Sequence, residues 1–101
     1  MYEIRFMRAA EKYLKKIKDN DLKKVFQSAL IEISRDPYIG ELKTGDLAGI
    51  YCYDVYFCKI NYELAYRVYE EDGQMVVVIL AGTRENFYAE LKRYIKQMVY
   101  L

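Results

Sequence analysis

The sequence predicts an α+β domain with the element order β-α-α-β-β-β-α, in which a helical hairpin lies on one face of a four-stranded, mainly antiparallel sheet. Three observations predict this fold. The N-terminal segment alternates like a strand, two apolar stripes with helical spacing follow it, and three β-rich runs precede a last helical stripe. A chain of 101 residues is long enough for one hydrophobic core, so we expect a single domain over residues 1–101.

The first strand and the helical hairpin occupy the first third of the chain. Tyr2, Ile4 and Phe6 alternate with charged residues, as in a half-buried strand. Two helices follow, with capping side chains at 19–21 between them and Pro37 ending the second. So short a connection predicts that the helices are antiparallel. Their apolar stripes are Ala10, Tyr13, Leu14 and Ile17 in the first helix, and Leu22, Val25, Phe26, Ala29, Leu30 and Ile33 in the second.

The rest of the chain is predicted to complete the sheet and add a third helix. Segment 38–49 contains glycine, threonine and charge without periodicity, which predicts a loop held down by Leu42 and Leu47. Turn residues at 71–73 favour a hairpin and therefore an antiparallel meander. The predicted elements are strands over 50–58, 62–69 and 74–81, a helix over 87–98, and a frayed or docked tail at 100–101.

Composition excludes several classes of protein and site. No apolar run approaches the ~20 residues that cross a bilayer, and the N-terminus lacks the apolar stretch of a signal peptide, so we expect a cytoplasmic protein without a membrane partner. Cys52 and Cys58 fall ~20 Å apart in one predicted strand and cannot bridge each other. Because the chain has two cysteines and no histidine, we expect no metal site and no cofactor. Any catalysis must use arginine, lysine, tyrosine or carboxylates.

The placement of positive charge is more informative than the net charge of +1, because affinity for a polyanion depends on where the cations lie. Lysines crowd the helical hairpin, and further cations crowd the last helix. These side chains are either an ordinary solvated helix surface or contacts to a polyanion such as RNA. The candidates for RNA binding are Lys15, Lys16, Lys18, Lys92 and Arg93.

A short motif at 82–88, Gly-Thr-Arg-Glu-Asn-Phe-Tyr, follows the apolar run 76–81 and leads into the last helix. It places Arg84 and Tyr88 at the C-terminal edge of a strand. Together with segment 62–68 one strand earlier and the hairpin before it, this arrangement resembles the RelE/ParE superfamily of bacterial toxins, the toxin half of type II toxin–antitoxin pairs. The resemblance covers essentially the whole chain and implies the RelE-like fold.

The resemblance also implies a chemistry. Ribonuclease members of the family act on the ribosome and cut messenger RNA by activating a 2′-hydroxyl against its own phosphodiester, without a metal. The reaction needs a base, cations for the phosphorane charge and a donor to the leaving oxygen. Arg84 matches a position that the family fills with histidine or arginine and suits charge stabilisation, unless it is a surface arginine paired with Glu85 or Glu90. Tyr88 matches the family's tyrosine and would stack on or orient a base, unless it only packs.

Glu63 is a departure from the family pattern. Many members carry an arginine there, in contact with the scissile phosphate, and a carboxylate would repel that phosphate by ~1 to 4 kcal/mol. Either Glu63 or Glu85 is the general base and Arg67, ~13 Å along the strand, supplies the lost cation, or the chain is an attenuated toxin that binds only its partner. The other interpretation of Glu63 is an exposed strand carboxylate paired with Lys59.

Strand alternation predicts which side chains share the open face of the sheet. Tyr62, Leu64, Tyr66 and Val68 are assigned to the core face, which leaves Glu63, Arg67 and Tyr69 on the open face beneath the partial cover of the last helix. The neighbouring strand contributes one of two pairs to that face, and the register that decides between them is left open. The pairs are Asp54 with Tyr56 and Tyr53 with Val55.

Three functions follow from the resemblance. The first is a ribosome-dependent mRNA endoribonuclease, with Arg84, Tyr88, Arg67 and Glu63 as its catalytic candidates and a cognate antitoxin as its partner. The second is a ParE-like inhibitor of DNA gyrase, which acts by protein contact and needs no phosphate clamp. The third is an inactive member that only binds its antitoxin. The segment from Gly82 to Tyr88 favours the first function, and Glu63 favours the other two.

Overall fold

The computed structural model describes residues 1–71 and 73–99, with side chains described as far as Gln97. The described part of the chain contains three α-helices and five β-strands. Strand β2 lies between two short 3₁₀ turns, Pro37–Ile39 and Gly45–Leu47. The elements are β1 (Glu3–Phe6), α1 (Arg8–Lys15), α2 (Asn20–Arg35), β2 (Glu41–Leu42), β3 (Tyr51–Phe57), β4 (Ile60–Tyr69), β5 (Met75–Thr83) and α3 (Phe87–Val99).

The strands form one mixed sheet in the order β1-β5-β4-β3-β2. β1 is parallel to β5, and every other neighbouring pair is antiparallel. The predicted α+β class, the mainly antiparallel sheet and the meander are therefore confirmed. Asp72 in the predicted turn, the tail at 100–101 and the Met98 side chain lie outside what the structure describes.

The sheet has five strands, whereas the sequence predicts four. The additional strand, β2, lies in the segment predicted to be a loop and pairs Glu41 and Leu42 with the start of β3. Two residues are too few to show an alternating pattern, so no sequence signal marks this strand. Within the same segment Leu47 is buried as predicted, but Leu42 is 53% exposed and does not hold the segment down.

The helical hairpin packs on one face of the sheet, as predicted. Asp19 caps α2 by accepting hydrogen bonds from the backbone N–H groups of Asp21 and Leu22 at 2.9 and 3.2 Å. The apolar stripe of α2 is buried against alternate residues of three strands, because one face of each strand points to the hairpin. This core contains Ala10, Leu22, Phe26, Ala29, Ile33, Val55, Tyr62, Leu64, Tyr66, Val76, Val78 and Ala81.

A second core lies on the opposite face, where α3 packs on the middle of the sheet. Phe87, Leu91 and Ile95 recur at helical spacing and are buried. They meet the other faces of β3, β4 and β5, and the 3₁₀ turn at Gly45–Leu47 joins them. The last helix therefore covers part of this face, as the sequence predicts, and the covered part is the centre of the sheet. No described helix has both the length and the apolar character needed to cross a membrane.

Candidate functional site

The predicted site lies on β3, β4 and β5, next to the start of α3. Asp54 is opposite Glu63, and Glu63 is opposite Gly82 on β5. This register settles the open question of parity, because it puts Asp54, and with it Tyr56, on the same face as Glu63. Arg84 follows the last residue of β5 directly, and Tyr88 is in the first turn of α3.

The turn between β5 and α3 fixes the direction in which Arg84 leaves the sheet. The backbone N–H of Arg84 donates to the carbonyl of Asn61 at 2.9 Å, and the N–H of Phe87 donates to the carbonyl of Arg84 at 3.1 Å. Asn86 has a φ of +60°, a left-handed conformation that asparagine adopts more readily than most residues. Phe87 is buried and anchors the start of α3 on the sheet.

Arg84 contacts two carboxylates. Its Nη2 lies 3.1 Å from Oδ1 of Asp54, and its Nε lies 3.6 Å from Oε2 of Glu63. The side chain is still 52% exposed, so the guanidinium lies at the rim of the site. Arg84 therefore pairs with carboxylates of the sheet rather than with Glu85 or Glu90, the alternative that the sequence left open.

Glu63 is buried rather than exposed. Only 1% of its side chain is accessible, and Oε1 accepts a hydrogen bond of 2.6 Å from the Tyr88 hydroxyl. The predicted exposed carboxylate paired with Lys59 is wrong, because α3 packs over this part of β4. Sequence alternation places Glu63 on the correct face but does not reveal that a helix covers it.

Lys43 is a member of the cluster that sequence reasoning missed. Its Nζ lies 5.0 Å from the centre of the Tyr88 ring, a cation–π distance, and it forms an ion pair with Glu41. Lys43 directly follows β2, the strand that no periodicity marks, so only the β2–β3 pairing brings it to the site. The Tyr88 side chain therefore contacts Lys43 through its ring and Glu63 through its hydroxyl.

The electrostatics of the cluster follow from burial. Desolvation raises the pKa of Glu63, and the Tyr88 hydrogen bond and the Arg84 charge oppose that shift. Burial and the bond to Glu63 raise the pKa of Tyr88 to about 12, so its phenol stays protonated at neutral pH. The hydrogen bond to Glu41 raises the pKa of Lys43, which keeps the ammonium charged. The cluster holds two cations, Lys43 and Arg84, and three carboxylates, Glu41, Asp54 and Glu63.

Arg67 is not part of this cluster. It lies opposite Val77 on β5, four residues along the strand from Glu63 and therefore ~13 Å away. The side chain is half-buried, and its Nε has no hydrogen-bond partner among the described residues. The cation that accompanies Arg84 is thus Lys43 rather than Arg67.

The five cations proposed to contact RNA or the ribosome are all exposed. Lys15 lies 3.7 Å from Glu11 one helical turn earlier, and Lys92 lies 3.9 Å from Asp46. Both pairs are solvated, so the side chains are held weakly. Lys16 lines a shallow groove of about 190 Å³ between α1 and α3, together with the Tyr94 side chain.

A resident metal has no evident ligand set in the part of the chain that the structure describes. Over residues 1–71 and 73–99, no three His, Cys, Asp or Glu side chains are grouped so that they could hold an ion. Cys52 and Cys58 are both free, the first buried and the second exposed. The cluster around Arg84 offers a guanidinium, an ammonium, a phenol and carboxylates for chemistry.

Comparisons with known proteins agree with this fold. The family model described as the ParE-like toxin of type II bacterial toxin–antitoxin systems matches residues 4–92. A free double arginine-to-alanine mutant of the Escherichia coli toxin RelE superposes with a TM-score of 0.73 at 23% identity, over 95% of this chain and 96% of that one. At this identity the likeness shows the fold alone. No curated protein matches the chain.

Two solved toxin–antitoxin complexes contain similar chains. The complex RelBE2 from Mycobacterium tuberculosis matches with a TM-score of 0.64 and 28% identity, over 82% of this chain and 98% of that one. The intact RelBE complex from Escherichia coli matches with a TM-score of 0.64 and 26% identity, over 81% and 95%. Since the family model spans most of the sequence, the chain belongs to the ParE-like toxins of type II bacterial toxin–antitoxin systems, within the RelE/ParE superfamily.

Proposed function

We propose that this toxin is a metal-independent, ribosome-dependent mRNA endoribonuclease that arrests translation in the bacterial cytoplasm and is neutralised by a cognate antitoxin protein. The observation that carries the proposal is the half-exposed guanidinium of Arg84, which pairs with Asp54 in a cluster that also contains the protonated phenol of Tyr88 and the ammonium of Lys43. These are the groups that metal-free cleavage of RNA requires.

Asp54 is the general base of the proposed reaction. Its side chain is 62% exposed and lies 3.1 Å from Arg84, whereas Glu63 is covered by α3 and is out of reach of RNA. Asp54 accepts the proton of the 2′-hydroxyl, and the 2′-oxygen then attacks the adjacent phosphorus. The attack forms a 2′,3′-cyclic phosphate as the bond from phosphorus to the 5′-oxygen breaks.

Arg84 and Lys43 serve the phosphate and the leaving group. The guanidinium has five N–H donors, and its contacts to carboxylates among the described residues use Nη2 and Nε. We assign the remaining donors, at Nη1, to a phosphate oxygen, where they would stabilise the phosphorane charge. Lys43, charged and partly exposed, donates a proton to the departing 5′-oxygen. Tyr88, whose ring contacts the Lys43 ammonium, is the proposed group that orients a base.

The partners follow from the relatives. The complexes from Mycobacterium tuberculosis and Escherichia coli pair a toxin with an antitoxin, and on this basis we assign a cognate antitoxin to this chain. Messenger RNA on the ribosome is the proposed substrate. The exposed cations Lys15, Lys16, Lys18, Lys92 and Arg93 are the proposed contacts to ribosomal RNA.

Inducing the chain in a bacterium tests the proposal directly. We expect growth arrest together with new 5′-hydroxyl ends inside translated codons. Arg84→Ala should abolish both with only a modest loss of stability, because the pair with Asp54 is solvated and the contact to the buried Glu63 is 3.6 Å long. The matched control is Arg5→Ala, which removes another exposed arginine paired with a carboxylate and should leave the arrest intact. Asp54→Asn should lower cleavage by about a hundredfold, the scale of a lost general base.

Inhibition of DNA gyrase is the second candidate, and one observation favours it. Carboxylates outnumber cations in the cluster around Arg84. This excess of negative charge weakens the binding of RNA to a nuclease, but it does not hinder an inhibitor that binds protein. Double-strand DNA breaks with intact messages would support this candidate. Growth arrest that survives Arg84→Ala would also reject the nuclease proposal.

A further inference from the structure

One buried carboxylate contacts both of the groups that define the site. Oε1 of Glu63 accepts the Tyr88 hydroxyl at 2.6 Å, while Oε2 faces Nε of Arg84 at 3.6 Å. Oε2 has no hydrogen-bond partner among the described residues. The two oxygens therefore have separate roles, since one holds the phenol and the other attracts the guanidinium by charge.

A purely structural role does not account for the burial of the Glu63 carboxylate. Its side chain lies under α3, next to the second core, where an ionised carboxylate is expensive to bury. An apolar residue would pack against α3 without that cost, because the neighbouring residues Cys52, Ala65 and Phe87 are themselves buried. A buried charge that meets two polar groups of a site is better explained by the orientation it imposes on them.

We propose that Glu63 is a positioning residue that orients both cations of the site. It attracts Arg84 directly, and it fixes the Tyr88 ring, over which the ammonium of Lys43 lies at 5.0 Å. This inference rests on the proposed nuclease function for its consequence in catalysis, but the contacts themselves are independent of that function. The exposed carboxylate Asp54 remains the group that meets RNA.

Two substitutions of Glu63 separate its contact to Arg84 from its contact to Tyr88. Glu63→Gln keeps an oxygen that can accept the Tyr88 hydroxyl but removes the charge that faces Arg84. Glu63→Leu removes both contacts. A role in positioning therefore predicts that Arg84 is affected by both substitutions and that Tyr88 is affected only by the second. A general loss of packing would alter both signals together in each variant.

Nuclear magnetic resonance of the labelled, full-length protein measures the two contacts separately. The Arg84 Nε–Hε signal is assigned with Arg84→Lys, and the Tyr88 ring signal with Tyr88→Phe. We expect the Arg84 signal to move towards that of a solvated arginine in both Glu63 variants, and the Tyr88 signal to move only in Glu63→Leu. Glu85→Gln, which changes an exposed carboxylate next to Arg84 in sequence, is the control and should alter neither contact.

Cleavage on the ribosome gives the functional arm of the test. Glu63→Gln should lower kcat by about tenfold, the lower range for a lost interaction with a charged group, with a smaller change in KM. An Arg84 signal that stays unchanged in both variants overturns the inference, whatever happens to cleavage. If the wild type does not cleave RNA while the signals move as expected, the proposed function fails and the positioning role of Glu63 stands.

Discussion

At the scale of the residue, Glu63 makes the stability of the protein depend on pH. Burial raises its pKa above the value in the unfolded chain, so the folded protein holds the proton more tightly. The stabilisation of the folded state by this bound proton is fully present below the unfolded pKa of about 4.3 and is lost as pH rises through the folded pKa. It amounts to about 1.4 kcal/mol for each unit by which the two pKa values differ.

Glu63→Gln tests this linkage, because glutamine has no proton to lose. We expect the free energy of unfolding of the variant, relative to wild type, to increase as pH rises from about 4 to about 8. Urea unfolding followed by circular dichroism at each pH measures the difference. The same experiment on Glu85→Gln, an exposed carboxylate, should give a nearly constant difference. A constant difference for Glu63→Gln would mean that its pKa is not raised by folding.

The sequence predicted some residues of the cluster and not others, for a physical reason. Arg84 and Tyr88 could be found because a strand, a turn and a helix follow one another there, and local geometry brings the two side chains to one edge. Lys43 could not be found, because it reaches Tyr88 only through the pairing of β2 with β3. The burial of Glu63 depends likewise on where α3 packs, and strand alternation carries no information about that.

At the scale of the element, the segment between α2 and β3 is attached to the sheet by one tyrosine. The hydroxyl of Tyr66, fully buried on β4, donates to the carbonyl of Pro37 at 2.7 Å and accepts the N–H of Gly40 at 3.1 Å. These two bonds bind the 3₁₀ turn and the start of β2 to the centre of the sheet. They explain why an irregular segment becomes a fifth strand that positions Lys43.

Gly40→Ala tests this attachment. A Cβ at position 40 would lie 2.5 Å from the Tyr66 hydroxyl and 3.0 Å from the Cys52 carbonyl oxygen, and neither group is free to move. We expect a loss of about 1 to 3 kcal/mol in the free energy of unfolding, with reduced activity because Lys43 shifts. Gly82→Ala is the matched control, since its Cβ would meet Phe87 at an ordinary 3.7 Å. Equal stability of the two variants would show that the segment moves aside at little cost.

The long elements were predictable because each carries its own signal. The stripe and cap of α2 and the alternation of β4 are local patterns whose partners are set by burial of one face. β2 has two residues, and its existence depends on the Tyr66 hydrogen bonds rather than on its own composition. Short edge strands of this kind lie beyond what periodicity can predict.

At the scale of the whole molecule, the sheet separates two cores and the site lies at the margin of one. The hairpin fills the first face, and α3 with the 3₁₀ turn at Gly45–Leu47 fills the second. Arg84 and Asp54 lie at the edge of this second core, where their side chains remain more than half exposed. The Glu63 side chain, which Arg84 contacts, is buried. The sheet therefore supports an exposed rim, which is the surface proposed to bind RNA.

The exposed lysines of the hairpin are the proposed second surface for RNA, and the salt dependence of binding distinguishes this role from that of a solvated helix face. Each lysine that neutralises a phosphate releases about one counterion. Changing Lys15, Lys16 and Lys18 together to glutamine should weaken ribosome binding and reduce the slope of log affinity against log salt by roughly two to three. Stability should hardly change, because the Lys15–Glu11 pair is solvated.

The control for that prediction must remove the same charge elsewhere. Lys23, Lys24 and Lys59 are exposed on α2 and on the turn between β3 and β4, so their triple change to glutamine lowers the net charge equally. Ribosome binding measured between about 50 and about 200 mM salt should keep the wild-type slope in this control. Equal losses in the two triple variants would show that the net charge of the molecule, rather than the end of α1, sets its affinity for the ribosome.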